Sequence, residues 1–462
     1  MPLDRTFFLS IIVDGLFYTF FNERIFAMDM KNLLLAGAVS LVAAAVSTVT
    51  LFSKENTEVN LTKESRIALV GENMMEHKDF GRFFETYLVA CTGLKGIRVH
   101  QFGGENETAA RFVKRMEEDT AFFKPDVTIT FFGTHDSGFR KHDKKRQDEY
   151  IAALTSVIRF YRGLGSRVIV ASPYSVDPNF FRPRQKGEAE AVNNTFQLFS
   201  QAAYETAIAE KVGFLDVFHP FADYTRKGKE KFGASYHLAG NTGANPWWNG
   251  QMVIAYLYLK KLGFGKEPVA DIVLDMNGKE SAVSAGHTIV EAKEKALTIK
   301  SERYPYCFRY HQPLPKKVNP GDIRFLFQFL PFHQDLNMFR LRVTNLTTPK
   351  AKVQWGKDTK EFTKEQLEQG INLAEIFTNN PFSGAFEKVQ EAVRNKQSYE
   401  YRMYRSYKAL QNDAIRLGIS EKGKAAFATV IEEMRDRYEP IAKRVDDAVV
   451  PVTHTITVIP VQ

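Results

Sequence analysis

Cysteine is almost missing: the 462 residues hold two, Cys91 and Cys307, far apart and each in a largely apolar neighbourhood. They allow at most one disulfide and match no metal-binding spacing, which excludes a disulfide-stapled miniprotein and leaves the redox compartment open. A surplus of one charge is missing too. Lys plus Arg number 62 against 54 Asp plus Glu, a formal charge of +8 that is small for this length. The basic cluster Arg140-Lys141-His142-Asp143-Lys144-Lys145-Arg146 is broken by an acid and runs into a helical pattern. It therefore reads as a solvated helix start, and no nucleic-acid partner is expected. Apolar and aromatic residues are plentiful, at 44% and 13% with 38 Phe, which excludes disorder and collagen-like repeats as overall descriptions. At roughly 100–200 residues per domain the length implies about two to four domains.

The N-terminal sixty residues form an extension. Leu33 to Phe52 carries no charge, is rich in Ala, Val and Leu, and follows Met30-Lys31-Asn32. This is the pattern of a signal peptide or a membrane anchor, and Ala43-Ala44-Ala45 favours a cleaved signal. No Cys follows, so a lipoprotein anchor is not expected. A second apolar stretch, Phe7 to Phe21, is interrupted by Asp14, and translation is expected to start at Met28 or Met30. The chain is thus expected to be exported, to the periplasm or beyond, and to touch a membrane only through this anchor.

From Ser65 onward short β-branched runs alternate with amphipathic segments, which predicts a parallel sheet with helices on both faces. The predicted strands are Arg66–Val70, Ile97–Gln101, Asp126–Phe132, Arg167–Ala171 and Gly213–Val217. The predicted helices are Asp79–Cys91, Thr108–Glu118, Asp143–Leu164, Glu188–Lys211 and Asn249–Leu262. Ligands of such sheets bind beyond the C-terminal strand ends. The loops there read Gly71-Glu72-Asn73, Gly103-Gly104-Glu105-Asn106 and Gly133-Thr134-His135-Asp136, and late in the domain His237 precedes Asn245-Pro246-Trp247-Trp248-Asn249.

The order of these elements and loops resembles the SGNH, or GDSL, hydrolase family over roughly residues 62 to 265. The resemblance implies a three-layer α/β/α, flavodoxin-like fold and carboxyl-ester hydrolysis, such as removal of acyl groups from polysaccharide. It places Asn73 where the family has its serine nucleophile, Gly104 at the oxyanion glycine, His135 at the oxyanion asparagine, Ala234 at the orienting aspartate and His237 at the general base. Only the glycine and the histidine are kept. An asparagine amide cannot lose a proton to imidazole, attack a carbonyl and leave again.

Three readings of the crevice follow. One is a hydrolase in which Glu72, Glu105 or Asp136 works with His237 and water attacks directly. Its metal-dependent form would gather His135, His237 and an acid, but no local zinc motif exists and neither metal nor other cofactor is expected. The second is a non-catalytic glycan binder using Trp247, Trp248, Asn245 and Asn249, since indole faces beside amides suit sugar rings; the same indoles equally suit packing between helix and sheet. The third is a scaffold whose crevice has no ligand. The ligand expected under the first two is an acylated small molecule or glycan, and oligomeric state is left open.

After Pro268 the pattern turns to alternation, predicting an antiparallel β domain with strands Ala270–Met276, Thr288–Ala292, Ala296–Lys300, Asp322–Phe329, Phe339–Val343 and Lys352–Trp355. A helical stretch from about Pro381 to Asp447 precedes a terminal strand, Val452–Val458, so the helices read as an insertion. The expected organisation is an extension at 1–60, an SGNH-like domain at 61–266, a β domain at 267–378, a helical insertion at 379–448 and the last strand of the β domain at 449–462. Leu336 and Asn337 are expected at the domain interface.

Overall fold

Five short, largely buried strands make the first sheet of the computed structural model, which describes residues 59–76, 78–182, 188–308 and 315–462. The predicted signal segment and start codon lie outside the described residues. The strands are β1 (Arg66–Gly71), β2 (Arg98–Gln101), β3 (Val127–Phe131), β4 (Arg167–Ala171) and β5 (Gly213–Leu215), all parallel in the order β2-β1-β3-β4-β5. Every residue of β3 is buried, as a central strand covered by helices on both sides requires.

The helices form where the apolar spacing demands them. Lys144–Gly163 starts on Asp143, whose carboxylate accepts the backbone N–H groups of Lys145 and Arg146, and it turns Tyr150, Leu154, Val157, Ile158 and Tyr161 into the core. Lys144, Lys145 and Arg146 of the basic cluster are thus the first turn of this helix, with residues 140–142 before its cap. A cap of this kind contributes about 1 kcal/mol. The helix Trp248–Lys261 closes the layer and is almost wholly buried. The helix Phe218–Phe232 was not predicted. Pro220 stands in the first turn, where its missing N–H costs nothing, and a Cβ on Gly228 would meet the Tyr236 ring at 2.5 Å.

The second half holds two further sheets. One is antiparallel throughout, in the order β12 (Asp358–Thr363), β11 (Lys350–Trp355), β14 (Val452–Val461), β9 (Ala296–Ser301), β8 (His287–Lys293). The other runs β13 (Ile371–Asn372), β10 (Phe339–Thr344), β6 (Ala270–Asp275), β7 (Ala282–Val283). Two expectations are corrected here. The β6–β10 pair is parallel, the chain between them crossing over through the other sheet. Residues 322–329 are not a strand: the Asp322 carboxylate accepts the Arg324 N–H and starts a short helix, Ile323–Leu326, so a capping acid overrides the alternation.

The helices Ser383–Tyr401, Lys408–Arg416, Glu421–Asp436 and Tyr438–Ala448 leave the β region and return to it through β14. The first lies on Lys78–Cys91, where Lys396 is buried between Glu85 at 3.1 Å and Glu400 at 2.6 Å. The Tyr87 hydroxyl donates to the Leu336 carbonyl at 2.9 Å, and Asn337 exchanges two hydrogen bonds with the Tyr306 backbone. The Leu336 carbonyl thus meets the helix Lys78–Cys91 of the first half, whereas the bonds of Asn337 stay within the second half. Cys91 and Cys307 are both free and buried. No helix among the described residues is long and apolar enough to cross a membrane.

Candidate functional site

The loops after β1 and β3 meet at the switch point of the sheet, since β1 has β2 on one side and β3 on the other. Close approach fixes the glycines here. A Cβ on Gly71 would lie 2.2 Å from the Phe131 carbonyl oxygen, and one on Gly103 would lie 2.4 Å from the Glu76 nitrogen.

Glu72 is buried and faces the third loop. Its carboxylate accepts the Thr134 N–H at 3.3 Å and the His135 N–H at 2.9 Å, is also bonded by the Thr134 hydroxyl, and lies 2.5 Å from His135 Nδ1. Burial alone would lower the His135 pKa, but the hydrogen bond and charge of Glu72 outweigh it and raise it. Asp136 accepts the N–H groups of Ala109 and Gly133, each at 2.9 Å. Burial, reinforced by the charge of Glu72, pushes its pKa up to about 7 despite those bonds. Glu72 and Asp136, two of the three carboxylates expected to serve catalysis, thus spend their oxygens on tying loops together.

Asn73 begins the short helix Asn73–Glu76, and its side-chain oxygen accepts the Asn106 N–H at 2.5 Å. The Gly104 N–H donates to the Gly71 carbonyl at 3.1 Å. Glu105 pairs with Arg405 at 2.6 Å. The loop carrying Gly104 and Glu105 is held from behind by Glu107, which Arg115 grips with two N–H groups.

His237 stands between two rings, Phe180 at 4.5 Å and Trp247 at 4.9 Å. Its backbone carbonyl accepts the Asn249 side-chain N–H at 2.9 Å, while Nδ1 is buried without a hydrogen-bond partner. Burial lowers its pKa; the charge of Asp177 opposes this and that of Lys229 adds to it. Asp177 is paired with Lys229 at 2.9 Å, and Lys229 also donates to the carbonyl of Ala234. His135 reaches the same aromatic segment from the other side: its ring packs on Phe139 at 5.2 Å, and Phe139 stacks on Phe181 at 6.4 Å.

The two indoles are not core plugs: Trp247 is 38% and Trp248 47% exposed. Trp247 caps the histidine, and Trp248 borders a separate cleft of about 590 Å³ with Asn319, Asp322 and Arg394. Asn245 is exposed beside them, whereas Asn249 is fully buried, its Oδ1 taken by the Gly250 N–H. Asp177, Phe180 and Lys229 escaped the sequence reading. Their one signal was Asp177-Pro178-Asn179, a turn following a parallel strand, at the end where ligands bind. Among the described residues no three His, Cys, Asp or Glu side chains gather as a metal cage.

Residues 70–240 match the family model described as GDSL-like Lipase/Acylhydrolase family. The chain is similar to that family over this segment. No curated protein sequence matches the chain. Among solved structures, the chain resembles BT4096, a gut microbial diltiazem-metabolizing enzyme, with a TM-score of 0.71 at 21% identity, covering 88% of this chain and 100% of the other. That likeness extends the shared fold beyond the GDSL-type domain into the β sheets and helices that follow. It also resembles a catalytic mutant of Axe2, an acetylxylan esterase from Geobacillus stearothermophilus, with a TM-score of 0.36 at 20% identity over 45% of this chain and 97% of the other. Asn73 lies in the first loop of the matched segment.

Proposed function

We propose that the GDSL-type crevice binds an acyl ester, with an acylated glycan as the ligand class, and that it does so without forming an acyl-enzyme. Asn73 carries this reading. Its amide has no oxygen that can become a nucleophile, and that oxygen is already engaged with the Asn106 N–H. Loss of a triad nucleophile costs on the order of 10⁶ in kcat. Two further features support it: His237 has no carboxylate on Nδ1, and the Gly104 N–H is turned to the Gly71 carbonyl. The exposed Trp247 with Asn245 supplies an apolar face and an amide of the kind sugar rings use, and Trp248 offers a second exposed indole on the neighbouring cleft. Export belongs to the same reading, supported by the charge-free run Leu33–Phe52.

The test combines p-nitrophenyl acetate turnover, fluorophosphonate labelling and a tryptophan fluorescence titration with an acetylated oligosaccharide. Saturable quenching without turnover or adduct is expected. A covalent adduct within residues 61–266 overturns the reading. The lowered pKa of His237 favours one alternative, direct attack by water with His237 as base, because it keeps the imidazole neutral near pH 7. That alternative requires slow turnover that fades on acidification and vanishes in His237→Gln.

A further inference from the structure

A cleft of about 410 Å³ opens where the Gly104 loop meets the helical excursion. Gly103, Gly104 and Arg111 form one wall; Tyr401, Arg405 and Ala409 form the other. Arg405 lies in a π-helical turn, Arg402–Tyr407, and pairs with Glu76 at 3.4 Å and Glu105 at 2.6 Å. It therefore joins the excursion to both the loop that carries Asn73 and the loop that carries Gly104. Wide turns of this kind recur at functional sites because they re-aim side chains.

The cleft is polar, yet its acids are already matched. Arg115 pairs with Glu107 and Asp119, Arg405 with Glu76 and Glu105, and Lys408 with Glu118. Glu400 is paired with Lys396 through Oε1 at 2.6 Å, and its Oε2 is a buried acceptor without a hydrogen-bond partner. At the floor lies Gln397, 3% exposed, whose Nε2 donates to Glu85 at 3.0 Å while its Oε1 has no hydrogen-bond partner. Leaving a buried acceptor unmade costs about 1–3 kcal/mol. An acceptor asks for a donor, and the neighbouring carboxylate of Glu400 disfavours an anion there. Above the floor the Tyr401 ring is 37% exposed, a face against which apolar C–H groups can lie.

We propose that this cleft is a subsite for a neutral hydroxyl-bearing unit, a sugar residue adjoining the acylated one in the crevice. The inference rests on the proposed function, because Gly104 and the Glu76 loop border both spaces. Hydroxyl protons meet Gln397 Oε1, and the ring face meets Tyr401. The helical excursion then sets which chain of sugars the GDSL-type crevice accepts.

The experiment is calorimetric titration of the full chain with a partially acetylated xylo-oligosaccharide and with its deacetylated counterpart. Ala409→Trp fills the cleft from an exposed helical position, and Leu410→Trp adds the same indole at the next position, 57% exposed and outside the lining. The subsite predicts that the deacetylated sugar still binds, that Ala409→Trp weakens both sugars at least tenfold, and that Leu410→Trp leaves both unchanged. Binding that ignores Ala409→Trp, or no binding of the deacetylated sugar, overturns the subsite. Failure of the proposed function looks different: the acetyl group then adds no affinity in the wild type or in Ala409→Trp.

Discussion

The imidazole Nδ1 of His135 lies 2.5 Å from the Oε2 of Glu72, so the loop after β3 is held to the loop after β1 by an ion pair beside Asn73. Because the histidine pKa is raised, its protonated form stabilises the fold. That contribution is complete below about pH 6.5 and is lost as pH rises through the raised value. In Glu72→Gln the rise disappears and the burial that remains drives the His135 titration below that of an ordinary histidine. NMR titration of the imidazole protons reads this directly, and unfolding free energy should drop by about 1.5–3 kcal/mol.

Asp136 gives a second pH signature. With its carboxyl at about 7 in the fold against 3.8 for the free group, the folded state binds the extra proton in between. Stability is therefore lost as pH rises from about 4 to about 7, by up to roughly 4 kcal/mol. Denaturant unfolding at pH 5 and pH 8 should show a larger loss for wild type than for Asp136→Asn, which has nothing to ionise.

Asn73→Ser restores a hydroxyl but no triad. His237 Nδ1 still lacks a carboxylate, and the Asn106 N–H loses its acceptor. p-Nitrophenyl acetate turnover in this variant should stay within about tenfold of the unmutated chain, far short of the ~10⁶ a triad supplies. A progress curve with an acyl-enzyme burst would contradict this.

Lys396→Met leaves Glu85 and Glu400 facing each other in the interior. Removing one partner of a buried ion pair costs about 3–5 kcal/mol. Adding Glu85→Gln and Glu400→Gln should recover much of that loss in the same unfolding assay, because the uncompensated charges go with it.

The strands of the first sheet were legible because parallel strands buried on both faces need unbroken runs such as Val127–Phe131, and a helix could not hide that many β-branched residues. The helix Lys144–Gly163 announced itself by Asp143 and the apolar stripe. Ile323–Leu326 did not, since Ile-Arg-Phe-Leu satisfies two periods at once and only the cap decides. At the site, the first and third loops could be placed beyond the strand ends from the pattern of strands, and a role for position 73 is only what the family resemblance implies. The environment of His237 could not: Asp177 and Phe180 lie some sixty residues before it in sequence and are brought to it by β4, while Lys229 is turned toward Asp177 by the helix Phe218–Phe232. Which oxygens of Glu72 and Asp136 remain for chemistry is a matter of loop geometry that no motif encodes.

Strand β14 lies between β9 and β11, in the interior of its sheet, and it follows about seventy residues of helix in the chain. Until residues 452–461 have been made, β9 and β11 expose unpaired edges to any extended peptide nearby. A ribosome-bound or truncated chain of this protein is therefore open to mispairing, and its quality control amounts to a zipper whose last tooth must arrive before either side can shut.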